Sequence, residues 1–328
     1  MPDVDVAIIG GGPSGLATAI ECTKNALSYV IVEKGSLVDA IRRFPVNMVF
    51  FTTPDLLEIG ELPLVCVRDK PSRLEALKYY RRVTEYYRLQ VKLYEKVDGV
   101  RPVNGHFEIS SSYQRGQVGS PESMTARKLV VATGYYDNPN FLGIPGEDLP
   151  KVSHYYTEAH PYYGLDVAVI GGANSAAETV LNLYRSGVKV RLIHRDSDLS
   201  THIKYWVRPD IKNRITRGEV EAHLETQVVE IRQGELVLEK KGAERFTIPN
   251  DAVLALTGYH PDYTFLESMG IAIDLDTGKP ETDPETSETN VSGIYLAGGI
   301  VAGRQTNKIF IENGRFHGQK IIKHLTGH

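Results

Sequence analysis

The chain has 328 residues, 41% of them hydrophobic, with a net charge of -4 and a pI near 6.2; at ~150 residues per domain this fits a globular protein of about two domains. No basic arm or tail argues for a nucleic-acid partner, and no apolar run reaches the ~18 residues a membrane helix needs. Asp3 and Asp5 come too early for a signal peptide, and Cys22 and Cys66 offer neither a disulfide framework nor a metal spacing, so the expectation is a reduced, cytoplasmic protein with no metal site.

Val4–Ile9 is a short run rich in β-branched residues and reads as a strand buried on both faces. Gly10-x-Gly12-Pro13-Ser14-Gly15 follows, then "LATAIECTKNA" as a helix and "YVIVEK" as a second strand ending at Glu33 and Lys34. Gly10 permits the tight turn, Gly12 lets a pyrophosphate approach the backbone, and Gly15 lets helix pack on strand. The helix start offers free N–H groups to phosphates. Glu33 lies 23 residues after Gly10, where a carboxylate can accept hydrogen bonds from ribose hydroxyls.

Further along, "FPVNMVFFTTP" (44–54) carries Asn47 and Thr52, either lining a flavin ring or part of an ordinary core loop. Ser72 and Glu75 form a capping box opening a helix to about Gln90. "HFEISSSY" begins a β-rich excursion, and "KLVVATGYY" (128–136) returns as a strand running into Thr133 and Gly134.

The opening unit then repeats. "DVAVIGGANSA" (166–176) matches "DVAIIGGGPSG" (5–15), with Gly171, Ala173, Asn174, Ser175 and Ala176 in the turn. A helix and the strand "VKVRLIHR" follow, and the position matching Glu33 is His194, followed by Arg195. A carboxylate repels a 2′-phosphate and a guanidinium pairs with it. The first copy is therefore expected to hold the adenosine half of FAD, and the second NADPH. Lys204 could assist the phosphate or be ordinary surface. "AVLALTGYH" (252–260), with Gly258, matches the Thr-Gly-Tyr strand of the first copy. "GIYLAGG" (293–299) brings Gly299 towards the flavin's pyrophosphate or ribityl chain, and "NKIFIENGRFHGQKIIKHL" reads as a helix starting near Lys308 and Ile309. Two dinucleotide sites in one chain fit hydride transfer from nicotinamide to flavin. The fold class is α/β, with two Rossmann-like dinucleotide-binding domains.

The two fingerprints, the ATG-type strands and "YLAGG" together resemble the low-molecular-weight thioredoxin-reductase-like flavoproteins. More narrowly, "FPVNMVFFTTPDLLEIGELP", "GGANSAAE", "KYWVRPDI" and "NKIFIENGRFHG" are similar to the bacillithiol-disulfide reductase subfamily. The resemblance implies a discontinuous FAD domain (1–140 and 261–328), an inserted NADPH domain (141–260), a homodimer, and adenine held at Lys96–Val97. It implies NADPH-dependent reduction of a small disulfide. Two features depart from the relatives. Thioredoxin reductases carry a redox CxxC before the second fingerprint, where this chain reads "SHYYT", which excludes their usual mechanism. Subfamily members with a proposed catalytic cysteine carry it within the first fingerprint, where this chain has Ser14; a hydroxyl forms no mixed disulfide, so Ser14 is read as capping the helix and bonding the pyrophosphate. The alternative acceptor is a small redox protein, as in thioredoxin-reductase-like ferredoxin or flavodoxin reductases. His154 and His160 are candidate proton donors or simply packed with aromatics.

Overall fold

A computed structural model describes residues 1–115 and 122–327. It divides into two compact units, Met1–Asn138 with Tyr259–His328, and Pro139–Gly258. In chain order, the first unit opens with β1 (Val4–Ile9), α1 (Pro13–Lys24) and β2 (Tyr29–Glu33). Two single-turn helices follow, α2 (Asp39–Arg42) and α3 (Pro54–Leu57), then α4 (Arg73–Tyr87). The capping box is formed: Ser72 accepts from the Glu75 N–H, and Glu75 accepts from the Ser72 N–H at 2.7 Å. α4 stops short of Gln90 because Arg88 turns left-handed at φ 50°. The excursion is β3 (Val91–Leu93), β4 (Glu95–Val103) and β5 (His106–Tyr113), returning through β6 (Glu122–Val131).

The second unit contains β7 (Val152–Ser153), β8 (Asp166–Ile170), α5 (Asn174–Arg185), β9 (Lys189–Ile193), α6 (Arg208–Thr216) and β10 (Glu221–His223). A meander of β11 (Thr226–Ile231), β12 (Glu235–Lys240) and β13 (Arg245–Pro249) leads to β14 (Ala252–Ala255). The chain then re-enters the first unit with α7 (Tyr263–Ser268), β15 (Ile294–Leu296), α8 (Ile311–Gly314) and α9 (His317–Thr326).

Among the described residues, the first unit's sheet has the order β3-β2-β1-β6-β5-β4, with β15 also paired parallel to β6. The second unit has a parallel sheet, β10-β9-β8-β14-β7, and a separate antiparallel sheet, β11-β12-β13. Apart from Asp5 and Asp166 near their starts, β1 and β8 are apolar because both of their faces are covered. Val6 and Ile8 pack with Leu16, Ile20 and Tyr80, while Ala7 and Ile9 pack with Leu129, Leu266 and Leu296. In β8, Val167 and Val169 meet Leu183 and Leu192, while Ala168 and Ile170 meet Leu236 and Leu238. This alternation seats each β1-type strand at the centre of its sheet, with its glycine turn emerging where strand order reverses, the usual crevice for a nucleotide.

The C-terminal helix differs from expectation. It is not continuous from Lys308; the Lys308 N–H bonds Gln305 O, and the Asn313 side chain accepts from the Phe310 N–H at 2.9 Å and donates to Lys308 O. These bonds start α8 only at Ile311, and it ends after one turn at Gly314. Lys308 and Ile309 therefore do not form the start of a long helix.

Candidate dinucleotide sites

The first turn assigns its three glycines separate tasks. Gly10 has φ +111°, and a Cβ there would lie 2.5 Å from Ala132 O. A Cβ on Gly15 would overlap the Gly10 carbonyl oxygen. A Cβ on Gly12 would meet nothing within 4 Å. Gly12 is the N-cap of α1 with Pro13 next, and no side chain satisfies the helix start, which leaves N–H groups for an anionic ligand.

Beside this turn lies a pocket lined by residues from four segments. Gly10, Glu33 and Lys34 come from the β1–α1–β2 unit, Glu95 to Val97 from β4, Thr133, Gly134, Asp137 and Asn138 from beyond β6, and Asp262 and Phe265 from the start of α7. Glu33 is 8% exposed; it accepts from the Gly11 N–H at 2.6 Å and the Gly35 N–H at 2.7 Å. Burial raises its carboxyl above the usual range against the pull of those donors. The Thr133 Oγ1 is buried and has no hydrogen-bond partner among the described residues. A dinucleotide's hydroxyls and phosphates fit these three features: an acceptor on the floor, an orphaned hydroxyl on the wall and an uncapped helix start alongside. Of the predicted residues, Gly10, Glu33, Lys34, Val97, Thr133 and Gly134 line this pocket; Asn47, exposed, and Thr52, buried, do not. Sequence reasoning missed Asp137 and Asn138, though they directly follow the Thr-Gly-Tyr-Tyr signal. It also missed Asp262 and Phe265, which no local pattern marks.

Ser14 does not cap α1. Its Oγ sits in a seam between two glycines: a Cβ would approach it to 2.5 Å from Gly298 and to 3.1 Å from Gly314. Gly298 also donates its N–H to His317 Nδ1 at 3.0 Å, which places the imidazole proton on Nε2. A Cβ on neighbouring Gly299 would lie 2.7 Å from the Tyr135 ring. Burial lowers the His317 pKa to about 4. The unfolded chain, with its ordinary histidine near 6.5, binds this proton first, so the stabilisation is present above pH 6.5 and lost as pH falls towards 4. His317→Gln is expected to flatten the slope of unfolding free energy across that window, by up to about 3 kcal/mol in total; an unchanged slope in urea titrations would rule this out.

The second turn is built like the first, with one difference. Gly171 has φ +146° and a Cβ there would lie 2.5 Å from Leu256 O, as Gly10 does against Ala132. Ala173 is the N-cap of α5, with no side-chain cap bond; Ser175 is exposed and Ala176 is buried beneath the turn. His194 lays its ring against Gly172, with Nε2 3.3 Å from Asp196. The Arg195 side chain is 76% exposed and lies 4.0 Å from Asp196. The Asn174 side chain does not face the turn; it donates to His202 O at 3.1 Å and accepts from the Lys204 N–H at 2.9 Å. It staples the loop after β9. Lys204 Nζ is paired with Glu178. Gly258 has φ +93° and packs near Asn140. His154 Nε2 lies 3.5 Å from Glu147 and its ring meets Phe141 edge-on, while His160 is exposed.

The thiols stand apart from this chemistry. Cys22 is fully buried, and burial pushes its thiol up to about 12. The Cys66 Sγ donates to Arg68 O at 2.7 Å. Both are unpaired.

The sequence profile of the pyridine nucleotide-disulphide oxidoreductases matches residues 7–298. The chain belongs to that family. It is 42% identical to bacilliredoxin reductase Bdr of Bacillus subtilis, over 97% of this chain and 96% of that one. Among solved structures it is similar to bacillithiol disulfide reductase Bdr (YpdA) of Bacillus cereus, with TM-score 0.96, 42% identity and 99% of each chain covered. The Staphylococcus aureus protein of the same name gives TM-score 0.93 at 40% identity, covering 100% of this chain and 99% of that one. A pyridine nucleotide-disulphide oxidoreductase of this two-domain, thioredoxin-reductase-like fold is an oxidoreductase enzyme that uses FAD and NADPH. Among the described residues, no helix is long and apolar enough to cross a membrane.

Proposed function

We propose that this oxidoreductase reduces a low-molecular-weight disulfide, with bacillithiol disulfide as the named substrate, at the expense of NADPH. The observation that carries the reading is the contrast between two otherwise matching turns: one ends in a buried acid, the other in a packed His194 followed by an exposed Arg195. The near-full-length similarity to Bdr supports the choice of acceptor. Gly10, Gly12, Glu33, Val97, Thr133 and Gly134 would hold FAD, and Gly171, Ala173, Ser175, His194 and Arg195 would hold NADPH. When bound, NADPH supplies a hydride and FAD relays its electron pair, so that a disulfide takes up two electrons and two protons to leave two thiols.

The chain's own residues set the conditions for this. Glu33 accepts from hydroxyls and repels a phosphorylated ribose, keeping the two nucleotides in their own sites. Arg195 meets a 2′-phosphate without disturbing any packed element. Ser14 supplies no thiolate, and Cys22 is sealed away as a neutral thiol, so neither lends a sulfur to the reaction. The unpaired cysteines support a reducing, cytoplasmic setting, and the family resemblance supports a homodimer, which light scattering would measure.

The test is anaerobic NADPH oxidation by the flavoprotein with bacillithiol disulfide as sole acceptor. Turnover at least about tenfold above the no-acceptor control is expected. Rapid flavin reduction with no turnover would overturn the disulfide and turn attention to ferredoxin or flavodoxin.

A further inference from the structure

Lys34 and Asp137 stand on different walls of the first pocket, one at the end of β2 and the other beyond β6. Their side chains meet across it, Lys34 Nζ to Asp137 Oδ2 at 2.8 Å. Arg43, just past α2, pairs with the other Asp137 oxygen and reaches Asp39 Oδ2 at 3.1 Å through its Nε. Packing reinforces the crossing: the Arg43 guanidinium lies 5.2 Å from the centre of the Tyr136 ring, and Phe44 meets that ring edge-on at 5.1 Å.

Exposure orders these groups by depth. Glu33 is 8% exposed, the Asp137 and Arg43 side chains 24% and 26%, and the Lys34 side chain 54%. The ion pairs therefore lie nearer the mouth than Glu33 does. Pairs this exposed add little to folding stability. Their position gives them a different effect: they tie the end of β2 to the segment beyond β6 on two sides of the pocket.

We propose that the Lys34–Asp137–Arg43 cluster is a latch across the mouth of the dinucleotide pocket, and that it sets how fast FAD exchanges. Asp137 is a positioning residue in this scheme: it acts by joining the end of β2 to the segment beyond β6. The proposal rests on the reading that this pocket takes the adenosine half of FAD.

The test uses the FAD-loaded protein, diluted while the fluorescence of released FAD is followed. Asp137→Asn, which removes the charge from both pairs, is expected to release FAD about tenfold faster at low salt. Release from the wild type should quicken several-fold between about 20 mM and about 500 mM NaCl, whereas release from the variant should barely respond. Lys34→Gln keeps the Asp137–Arg43–Asp39 arm and should give an intermediate rate with a weakened salt response, which also serves if Asp137→Asn does not fold. Variants that release FAD at the wild-type rate, or a wild-type rate indifferent to salt, would overturn the latch and leave FAD binding intact. A wild-type protein that takes up no FAD would overturn the FAD reading and the latch with it.

Discussion

Gly12→Val is expected to give a stably folded protein that purifies without flavin, whereas Gly15→Ala is expected to be severely destabilised. Both residues belong to one six-residue turn, yet their surroundings are opposite. Gly12 has φ -77° and ψ 177°, extended backbone that any residue adopts, and a Cβ there meets no atom within 4 Å. The space is open in the protein and is where a pyrophosphate must approach the start of α1. A valine there costs the fold little and fills the space the ligand needs. At Gly15 the added Cβ would overlap the Gly10 carbonyl oxygen. Neither atom can swing aside, because Gly10 is itself held at φ +111° with its N–H bonded to Val32 O. Parting them means lifting α1 off β1, where Leu16, Ala19 and Ile20 are fully buried. A loss above about 4 kcal/mol is expected, a large part of the roughly 5–15 kcal/mol that holds a domain together. Circular dichroism melting and flavin absorbance of the purified variants read the two effects separately. A yellow Gly12→Val protein with wild-type flavin content would show that the pyrophosphate does not pass over this turn.

Arg195→Ala is expected to raise the apparent KM for NADPH by roughly 10- to 100-fold while leaving that for NADH unchanged. A charge-assisted hydrogen bond to a phosphate is worth about 1.5–3 kcal/mol, which converts to that range. NADH has no 2′-phosphate, so it should not sense the loss. The melting temperature should stay where it is, since the side chain is 76% exposed and its nearest carboxylate, Asp196, is 4.0 Å away. Equal increases for both nucleotides would remove Arg195 from phosphate recognition and point to a general disturbance of the strand end after β9. His194 behaves differently: its ring packs on Gly172, so its replacement would disturb the turn itself and affect both nucleotides.

The sequence by itself determined the parts of this protein that depend on a few consecutive residues. The two strand–turn–helix–strand units, the central burial of β1 and β8, and the capping box at Ser72 all follow from local backbone demands. A turn that needs positive φ takes glycine, and a strand covered on both faces is apolar throughout. These demands are met within half a dozen residues, so they can be read in order along the chain, and so can the change from Glu33 to His194-Arg195.

Tertiary structure alone decided which side chains meet. Asp262 and Phe265 reach the first pocket only because the chain returns to its first unit after completing the second. Asn174 looked like a ligand from its place in the fingerprint, but backbone presented by the loop at 202–204 claims its amide. Ser14 looked like a cap until Gly298 and Gly314 enclosed its hydroxyl. The C-terminal helix looked continuous until Asn313 bonded back to Phe310 and Lys308 and moved its start. The physical reason is the same in each case. A backbone conformation is selected by the residue that adopts it, whereas a polar side chain bonds whichever partner the fold brings within reach, and that partner is specified elsewhere in the sequence.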